Sequence, residues 1–155
     1  MAALYIGRFQ PLHLGHLSVI ERYSDLVIGM GSSQYSRTAD NPLTADERRW
    51  CLEQVTKAPI IEVPDIHDDD QWVEHLLKIV YTVTPTVDYV ISGNPVVQRL
   101  CAAAGLTIET IAPTIQIDAT TIRRLIREHN LTWKQYVPAA IHTTIEPIIL
   151  NTGGA

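Results

Sequence analysis

The sequence has 155 residues, of which 46% are apolar, and a formal net charge of −5 at pH 7. This length and apolar content suffice for one hydrophobic core, so we expect a single domain over residues 1–155. The negative charge argues against a protein that grips nucleic acid through many phosphate contacts, because such proteins carry clustered Lys and Arg on one face.

The cysteines and the apolar segments indicate in which cellular compartment the protein resides. Cys51 and Cys101 have neither a metal-binding nor a redox spacing and are typical of small core residues in a reducing compartment. No apolar segment approaches the roughly 20 residues needed to span a bilayer, and the first one is too short for a signal peptide. We therefore expect a cytoplasmic protein without a membrane partner.

Strand-like and helix-like segments alternate five times along the chain. Because parallel neighbouring strands need crossover helices, this order predicts an α/β fold with a mostly parallel five-stranded sheet and helices on both faces. Ligands bind beyond the C-terminal ends of such strands, so site residues should follow strands. The predicted pairs are Ala3–Phe9 with Leu14–Ser24, Leu26–Met30 with Ala45–Thr56, Ile60–Val63 with Gln71–Val80, Asp88–Ser92 with Pro95–Ala104, and Thr107–Ile111 with Thr121–Glu128.

The first strand-to-helix junction carries the string G-R-F-Q-P-L-H-L-G-H, from Gly7 to His16. A helix start offers unpaired N–H groups and the positive end of the helix dipole to an anion. His13 and His16 share one face of the first turn, so both imidazoles could donate to one phosphate. Gly15 removes a side chain where a ligand would approach closely. The alternatives are two ordinary surface histidines or, less favoured without an H-E-x-x-H spacing, a metal site.

This string resembles the H-x-G-H signature of the nucleotidyltransferase superfamily, in the form carried by archaeal-type nicotinamide mononucleotide (NMN) adenylyltransferases. The resemblance covers most of the chain and implies a Rossmann-like, doubly wound fold of the HUP/nucleotidylyl transferase type. It implies transfer of AMP from ATP, with Mg²⁺, to NMN, giving NAD and pyrophosphate in NAD biosynthesis. It also implies a homo-oligomer. By resemblance the catalytic residues are His16, His13 and Arg123, and the residues that bind ATP phosphates are Gly7, Arg8, Phe9, Gly15, Thr120 and Ile122.

A polar loop follows the second predicted strand. Its Gly31-Ser32-Ser33-Gln34 resembles the second glycine motif of the family, which lines the nucleotide pocket, although such loops are often merely flexible. The loop closes with N-P-L-T-A-D-E-R, close to the family's N-P-F-T-x-x-E-R, in which Thr44 and Glu47 have the spacing of a capping box. Arg48 could reach a phosphate or could equally be an exposed helix arginine.

An aspartate and a tryptophan follow the third predicted strand at the separation found in the family. Resemblance implies that Asp65 and Trp72 contact the nicotinamide end of the substrate. An indole face can stack on a flat ring and attracts a pyridinium cation, although Trp72 could instead be a core or interface aromatic. The intervening run His67 to Asp70 is interpreted as a solvated helix start rather than a metal site.

The fourth predicted strand ends in S-G-N-P, which resembles the turn that lines the family's nucleotide pocket. Ser92, Gly93 and Asn94 are therefore candidate pocket residues. Asn94 followed by Pro95 is also a good helix N-cap, and both interpretations can hold together.

The superfamily usually shows I-S-G/S-T-x-I/V-R near its last phosphate-binding helix, and Thr120, Ile122 and Arg123 match it. A guanidinium fork fits phosphate oxygens, although Arg123 could also be a surface residue. The serine of the motif is Asp118 here, and residues 112–116 hold no Lys or Arg. A carboxylate repels phosphate, so we expect weaker binding of the ATP triphosphate.

Two alternative functions stay open at this point. The same chemistry serves other phosphate acceptors, including pantetheine phosphate, FMN and, with CTP, glycerol phosphate. The departures at Asp118 and residues 112–116 also fit a catalytically weak NMN or NAD sensor. In each case Mg²⁺ would accompany the triphosphate with mostly water ligands, and we expect no dedicated protein metal site.

Overall fold

The structure is a computed structural model, described for residues 2–110 and 112–153, and its chain divides into two compact units. The sheet unit consists of Met1–Arg8, Arg22–Ser33 and Ala58–Ala112, and the helical unit consists of Phe9–Glu21, Gln34–Lys57 and Pro113–Ala155. The elements in chain order are β1 (Ala3–Gly7), α1 (Leu14–Ile20), β2 (Leu26–Gly31), α2 (Ala45–Glu53), β3 (Ile60–Val63), α3 (Asp69–Val80), β4 (Tyr89–Ile91), α4 (Pro95–Ala103), α5 (Ala119–Arg127), 3-10 helices Leu131–Tyr136 and Ala139–Ile141, and α6 (His142–Asn151).

The strands of the sheet unit form one parallel sheet in the order β3-β2-β1-β4. Ala3 of β1 is in register with Leu26 of β2 and with Tyr89 of β4, and Ile28 of β2 is in register with Ile60 of β3. Non-consecutive neighbours such as β1 and β4 require crossovers through helices. The predicted α/β class and its parallel sheet are confirmed.

The predicted fifth strand is wrong, because within the described residues the sheet has four strands. Of Thr107–Ile111, Ile111 lies outside those residues, and Ile108 forms only an isolated parallel bridge to Val90. Two hydrogen bonds make that bridge: the Val90 N–H donates to the Thr107 carbonyl at 2.8 Å, and the Glu109 N–H donates to the Val90 carbonyl at 3.0 Å. Pro113 follows closely and has no N–H with which to extend a ladder.

The core of the sheet unit lies between its strands and the apolar faces of α3 and α4. Side chains two residues apart in a strand point to the same face, which puts Leu4 and Ile6 of β1 in one cluster. Cys101 is a fully buried member of this cluster, and burial raises the pKa of its thiol to about 11. The buried members are Leu4, Ile6, Val27, Ile61, Val63, Leu76, Val80, Val90, Val97 and Cys101.

The helical unit has its own buried residues. The 3-10 helix Leu131–Tyr136 and α6 both contact α5. Trp133 is buried, and its ring packs edge-on against that of His142, with the ring centroids 4.7 Å apart. Ile145 and Ile149 of α6 are fully buried on the same unit. Cys51 of α2 is buried as well, which raises the pKa of its thiol to about 12. Both cysteines are thus core residues, as predicted.

The predicted capping box of α2 is confirmed. Thr44 Oγ1 accepts the Glu47 N–H at 3.1 Å, and Glu47 Oε1 accepts the Thr44 N–H at 2.8 Å. Arg37 adds a bidentate pair to the Glu47 carboxylate at 2.7 and 2.9 Å, which ties the polar loop to the start of α2. These contacts fix the residue at which the loop after β2 ends and α2 begins.

In the two described ranges, none of the helices combines the length and apolar character needed to cross a membrane.

We expect Leu76→Ala to lower the free energy of unfolding by about 2–5 kcal/mol, because the fully buried Leu76 of α3 would leave a cavity in the sheet-unit core. Urea denaturation followed by circular dichroism measures this change. Glu74→Ala on the exposed face of α3 is the matched control and should change stability by about 0.5 kcal/mol or less. Equal effects of the two substitutions would contradict this description of the core.

Candidate active site

The start of α1 is capped by two histidines that bond to each other's backbone. His13, which precedes the helix, accepts the His16 N–H on Nδ1 at 3.2 Å, and His16 accepts the His13 N–H on its own Nδ1 at 3.1 Å. This is a capping box in which imidazoles replace the usual hydroxyl and carboxylate. The rings stack with centroids 3.6 Å apart and an interplanar angle of 19°.

The reciprocal cap also assigns the tautomer of both rings. Because each Nδ1 accepts an N–H, the proton of each neutral imidazole must lie on Nε2. The Nε2–H group is therefore what each ring can present to a phosphate oxygen. His13 is buried, whereas His16 is partly exposed.

Both imidazoles are held in the neutral form. Burial lowers the pKa of His13 to about 4, although the nearby charge of Asp118 acts in the opposite direction. Burial also lowers the pKa of His16 well below its usual value, and His13 lowers it further. Two stacked imidazolium ions would repel each other, so near neutral pH the pair provides two uncharged hydrogen-bond donors.

Gly15 and Phe9 surround this histidine pair. A Cβ on Gly15 would lie 2.9 Å from two atoms of the His13 ring and 3.1 Å from the Ile115 carbonyl oxygen. The space that we expected a ligand to need is therefore filled here by the His13 ring and the backbone of Ile115. Phe9 is buried in a left-handed conformation with φ of 53°, and its ring lies 4.6 Å from that of His16.

Arg123 lies inside the helical unit, with its side chain only 3% exposed, and is not a surface arginine. Its Nη1 donates to the Gln10 carbonyl at 2.9 Å, and its Nη2 donates to Thr120 Oγ1 at 3.2 Å. Nη2 also lies 3.7 Å from Oδ1 of Asp40, whose side chain is 80% exposed. Since Thr120 and Asp40 are both exposed, the Nη2 end of the guanidinium is the end nearest to solvent.

Asp118 places a negative charge near His13 and Arg123. The Asp118 carboxylate caps α5 by accepting the Thr121 N–H at 2.7 Å, and this bonding holds the pKa of Asp118 below its usual range. The charge of Arg123 lowers it further. Ile122 of the same motif is fully buried. An open groove of about 420 Å³ is lined by Pro113, Ile115, Gln116, Ile117, Asp118 and Thr121.

In the sheet unit, the predicted residues of the first two strand ends lie at the C-terminal edge of the sheet. Gly7 ends β1, and Arg8 directly after it is exposed. A Cβ on Gly31 would lie 3.7 Å from the Gly7 carbonyl oxygen, which is an ordinary contact. Ser32 adopts a left-handed backbone with φ of 48°, and its hydroxyl donates to Asp65 Oδ2 at 2.8 Å.

A pocket of about 180 Å³ in the sheet unit brings together the predicted nicotinamide residues Asp65 and Trp72 and the predicted pocket residue Asn94. Trp72 is partly exposed and also packs against the sheet-unit core, so it is in part a core aromatic, and its contact with a substrate stays a prediction. Asn94 caps α4 through Val96, with Asn94 Oδ1 accepting the Val96 N–H at 2.9 Å. The pocket is lined by Asp65, Ile66, His67, Asp68, Asp69, Trp72, Asn94, Val96, Val97 and Leu100.

Ser92 and Gly93 are placed beside this pocket by the turn after β4. Ser92 is buried, its hydroxyl accepts the Asn94 N–H at 3.1 Å, and its carbonyl accepts a bond from Gln98 Nε2 at 2.6 Å. Gly93 is exposed, and a Cβ there would meet no atom within 4 Å. The serine therefore shapes the turn, while the space at Gly93 does not require a glycine.

Sequence reasoning missed two residues of the helical unit and misjudged a third. Gln10 is buried and bonds to both Leu43 and Arg123, and Asp40 approaches the Arg123 guanidinium. The position of Gln10 in the string from Gly7 to His16 was the available signal for this residue, whereas no signal in the sequence pointed to Asp40. Arg48 is fully buried and donates to the Thr44 carbonyl at 3.3 Å, so the alternative of an exposed helix arginine is excluded.

Within residues 2–110 and 112–153, no group of three or more His, Cys, Asp or Glu side chains is arranged to hold a metal ion.

Comparison with known proteins gives consistent matches over nearly the whole chain. A sequence model of the cytidylyltransferase-like family matches residues 4–145. Nicotinamide-nucleotide adenylyltransferase 1 of Sulfolobus acidocaldarius is 37% identical over 96% of this chain and 90% of its own length. Nicotinamide-nucleotide adenylyltransferase of Saccharolobus solfataricus is 40% identical over 92% of this chain and 88% of its own length.

A solved structure with a similar fold is the bifunctional NMN adenylyltransferase/ADP ribose pyrophosphatase from Francisella tularensis, complexed with AMP and a manganese ion. The TM-score is 0.70 at 17% identity, over 96% of this chain and 51% of that one, so this chain spans about half the length of the bifunctional protein. At this identity the likeness concerns the fold.

The neutral state of His13 makes stability depend on pH. With a pKa of about 4 when folded and about 6.5 when unfolded, His13 contributes stability that is present above pH 6.5 and lost as the pH falls towards 4. We expect this residue alone to lower the free energy of unfolding by about 2 kcal/mol between pH 7 and pH 5. Urea denaturation at the two pH values measures the change.

His13→Asn is the variant that isolates this effect, because asparagine is a good N-cap but does not titrate. This substitution should reduce the loss of stability between pH 7 and pH 5 by about 2 kcal/mol. His129→Asn, at an exposed histidine whose left-handed backbone asparagine tolerates, is the matched control and should keep the wild-type drop. An unchanged drop in His13→Asn would refute the assignment of a neutral, buried His13.

Proposed function

This chain belongs to the cytidylyltransferase-like family, and we propose that it is a nicotinamide-nucleotide adenylyltransferase, which transfers AMP from ATP to NMN and forms NAD and pyrophosphate. The observation that carries the proposal is the His13 and His16 pair at the start of α1, whose Nδ1 atoms accept each other's backbone N–H, so that both neutral rings carry their proton on Nε2. The relatives with this name match almost the full chain. We further propose that both units form one nucleotidyltransferase domain, since the family match runs from residue 4 to 145.

The proposed reaction needs no enzyme nucleophile. A phosphate oxygen of NMN attacks the α-phosphorus of ATP, the bond from that phosphorus to the bridging oxygen breaks, and pyrophosphate leaves with the electron pair. Catalysis then consists of aligning two bound reactants, which can supply roughly 7–11 kcal/mol, and of donating hydrogen bonds to the developing charge. Neutral imidazole donors, guanidinium groups and backbone N–H groups are suited to that task.

Within this reaction we assign roles to the residues of the motif strings. His16 donates to the α-phosphate in the transition state, and His13 and Arg8 hold the neighbouring phosphates. Arg123 and Thr120 contact the β- and γ-phosphates through the Nη2 end of the guanidinium, which is the end with exposed partners. Mg²⁺ would accompany ATP as part of the substrate and would neutralise charge on its phosphates. The remaining residues of the proposed phosphate site are Gly7, Phe9, Gly15 and Ile122.

The pocket of Asp65, Trp72 and Asn94 supports a nicotinamide nucleotide as the acceptor. The Trp72 indole offers a face for stacking, and a pyridinium cation gains further attraction from the ring and from the Asp65 carboxylate. The turn residues Ser92 and Gly93 with Asn94, and Gly31 with Ser32, would line the rest of the nucleotide. We also propose a homo-oligomer, which only the resemblance of the motif strings to the archaeal family implies.

The direct test incubates the purified protein with ATP, Mg²⁺ and NMN and follows NAD and pyrophosphate by chromatography. His16→Asn keeps an oxygen that can accept the His13 N–H but removes the Nε2–H donor, so we expect turnover to fall about 100-fold. His129→Asn should retain wild-type turnover. Absence of NAD in the wild-type reaction would contradict the proposed activity, and full turnover in His16→Asn would remove the role of that imidazole.

Other phosphate acceptors and a binding-only role are tested in the same preparation. Pantetheine phosphate and FMN replace NMN in parallel reactions, and NMN should be the preferred acceptor. The charged Asp118 beside His13 and the burial of Arg123 are the observations that favour a catalytically weak sensor. Calorimetry that detects binding of NMN or NAD, without turnover in the assay, would favour that alternative over the enzyme.

Asp40 provides a separate test of the phosphate contact assigned to Arg123. Its carboxylate lies 3.7 Å from Nη2, so a phosphate must compete with it for the same guanidinium. We expect Asp40→Asn to lower the KM for ATP about two- to fivefold with little change in kcat, in line with the strength of a partly exposed ion pair. Asp46→Asn, which removes an exposed carboxylate from α2, is the control. An unchanged or raised KM in Asp40→Asn would argue against this role of Arg123.

A further inference from the structure

Gln10 lies in the string G-R-F-Q-P-L-H-L-G-H, from Gly7 to His16, yet the proposed chemistry gives it no task. Its side chain is 1% exposed, which is unusual for a residue in a turn between a strand and a helix. Phe9 before it has a left-handed backbone with φ of 53°. A buried primary amide in such a turn needs partners for its donor and acceptor groups, and the structure supplies both.

The Gln10 amide pairs with the peptide groups of a single residue, Leu43. Gln10 Oε1 accepts the Leu43 N–H at 2.8 Å, and Gln10 Nε2 donates to the Leu43 carbonyl at 2.9 Å. Leu43 is itself fully buried. Two hydrogen bonds between one amide and one residue fix the orientation of the side chain as well as its distance, so they lock the Gln10 backbone against the segment that leads into α2.

The backbone carbonyl of Gln10 in turn holds Arg123. It accepts a hydrogen bond from Nη1 at 2.9 Å, while Nη2 is directed to Thr120 Oγ1. Arg123 has almost no exposed surface, so its fork is oriented by these protein contacts. On the other side of Gln10, the Phe9 ring lies against His16. One residue therefore links the position of the histidine pair to the position of the guanidinium.

We propose that Gln10 is a positioning residue, which aims the Nη2 end of Arg123 at the ATP phosphates through its own backbone carbonyl, with its side chain anchored on Leu43. The inference rests on the proposed function. It assigns a task to a side chain that touches no substrate. It also predicts a defect confined to phosphate binding, because the Leu43 anchor bears on Arg123 and not on the pocket of the sheet unit.

Gln10→Met tests this by removing both amide bonds while keeping the length of the side chain. We expect the KM for ATP, and the KM for pyrophosphate in the reverse reaction, to rise about tenfold because the guanidinium is misplaced. The KM for NMN should stay within about twofold of the wild-type value. Gln54→Met, which removes an exposed amide that bonds the Trp50 carbonyl, is the matched control and should leave all three values unchanged.

A double-mutant cycle separates positioning from general structural damage. Arg123→Lys removes the guanidinium fork, so adding Gln10→Met in that background should change the KM for ATP by less than about twofold. A residue that acts only by supporting the fold would give the same tenfold change in both backgrounds. Additive effects in the cycle would therefore overturn the inference.

Gln10→Asn keeps the experiment decisive if the methionine variant does not fold, because it keeps an uncharged amide that is one methylene too short to make both bonds to Leu43. It should show the same selective rise in the KM for ATP, to a smaller extent. Equal KM values for ATP in wild type and Gln10→Asn, in a protein that makes NAD, would overturn the inference alone. A wild-type protein that makes no NAD would instead overturn the proposed function.

Discussion

The reciprocal hydrogen bonds between His13 and His16 constrain most of the helical-unit site. They use the Nδ1 atom of both rings, so they decide which nitrogen carries the proton and which can meet a ligand. The bonds also bring the rings into a stack, where burial lowers the pKa of both histidines and the proximity of His13 lowers that of His16 further. The space over Gly15 is filled by the His13 ring, so a side chain at that position would break the arrangement. This one capping interaction is therefore linked to the tautomer and the charge of both rings and to the glycine at position 15.

Arg123 shows the opposite relation between a charged group and its surroundings. The two histidines are neutral, whereas a guanidinium cannot be deprotonated in a protein and must be accommodated as a cation. Its burial is supported by the Gln10 carbonyl, the Thr120 hydroxyl and the Asp40 carboxylate. These partners also limit the directions in which it can donate, so the guanidinium is pre-oriented before any substrate arrives.

Much of the fold and part of the site could be predicted from the sequence, because the relevant signals are local. The order of strands and helices follows from hydrophobic periodicity, and the α2 cap follows from Thr44 and Glu47 alone. The prediction of a fifth strand was wrong because the single bridge between Val90 and Ile108, close to Pro113, is too short to form a ladder. The hydrogen bonds between Gln10 and Leu43 could not be predicted from local patterns, because the two residues lie 33 positions apart in the sequence. The burial of Arg48 and Arg123 depends on packing that no local pattern encodes.

The charges around Arg123 define what must hold a triphosphate at this end of the proposed site. Asp118 and Asp40 are carboxylates and Arg123 is a single cation, while the two histidines are neutral, so these groups together carry one net negative charge. A bare triphosphate would be repelled by that sum. Affinity must therefore come from directed donors, namely Nε2–H and the guanidinium fork, and from the Mg²⁺ that accompanies ATP. Directed bonds also distinguish a phosphate in the correct position from one that is merely nearby, which is what in-line transfer requires.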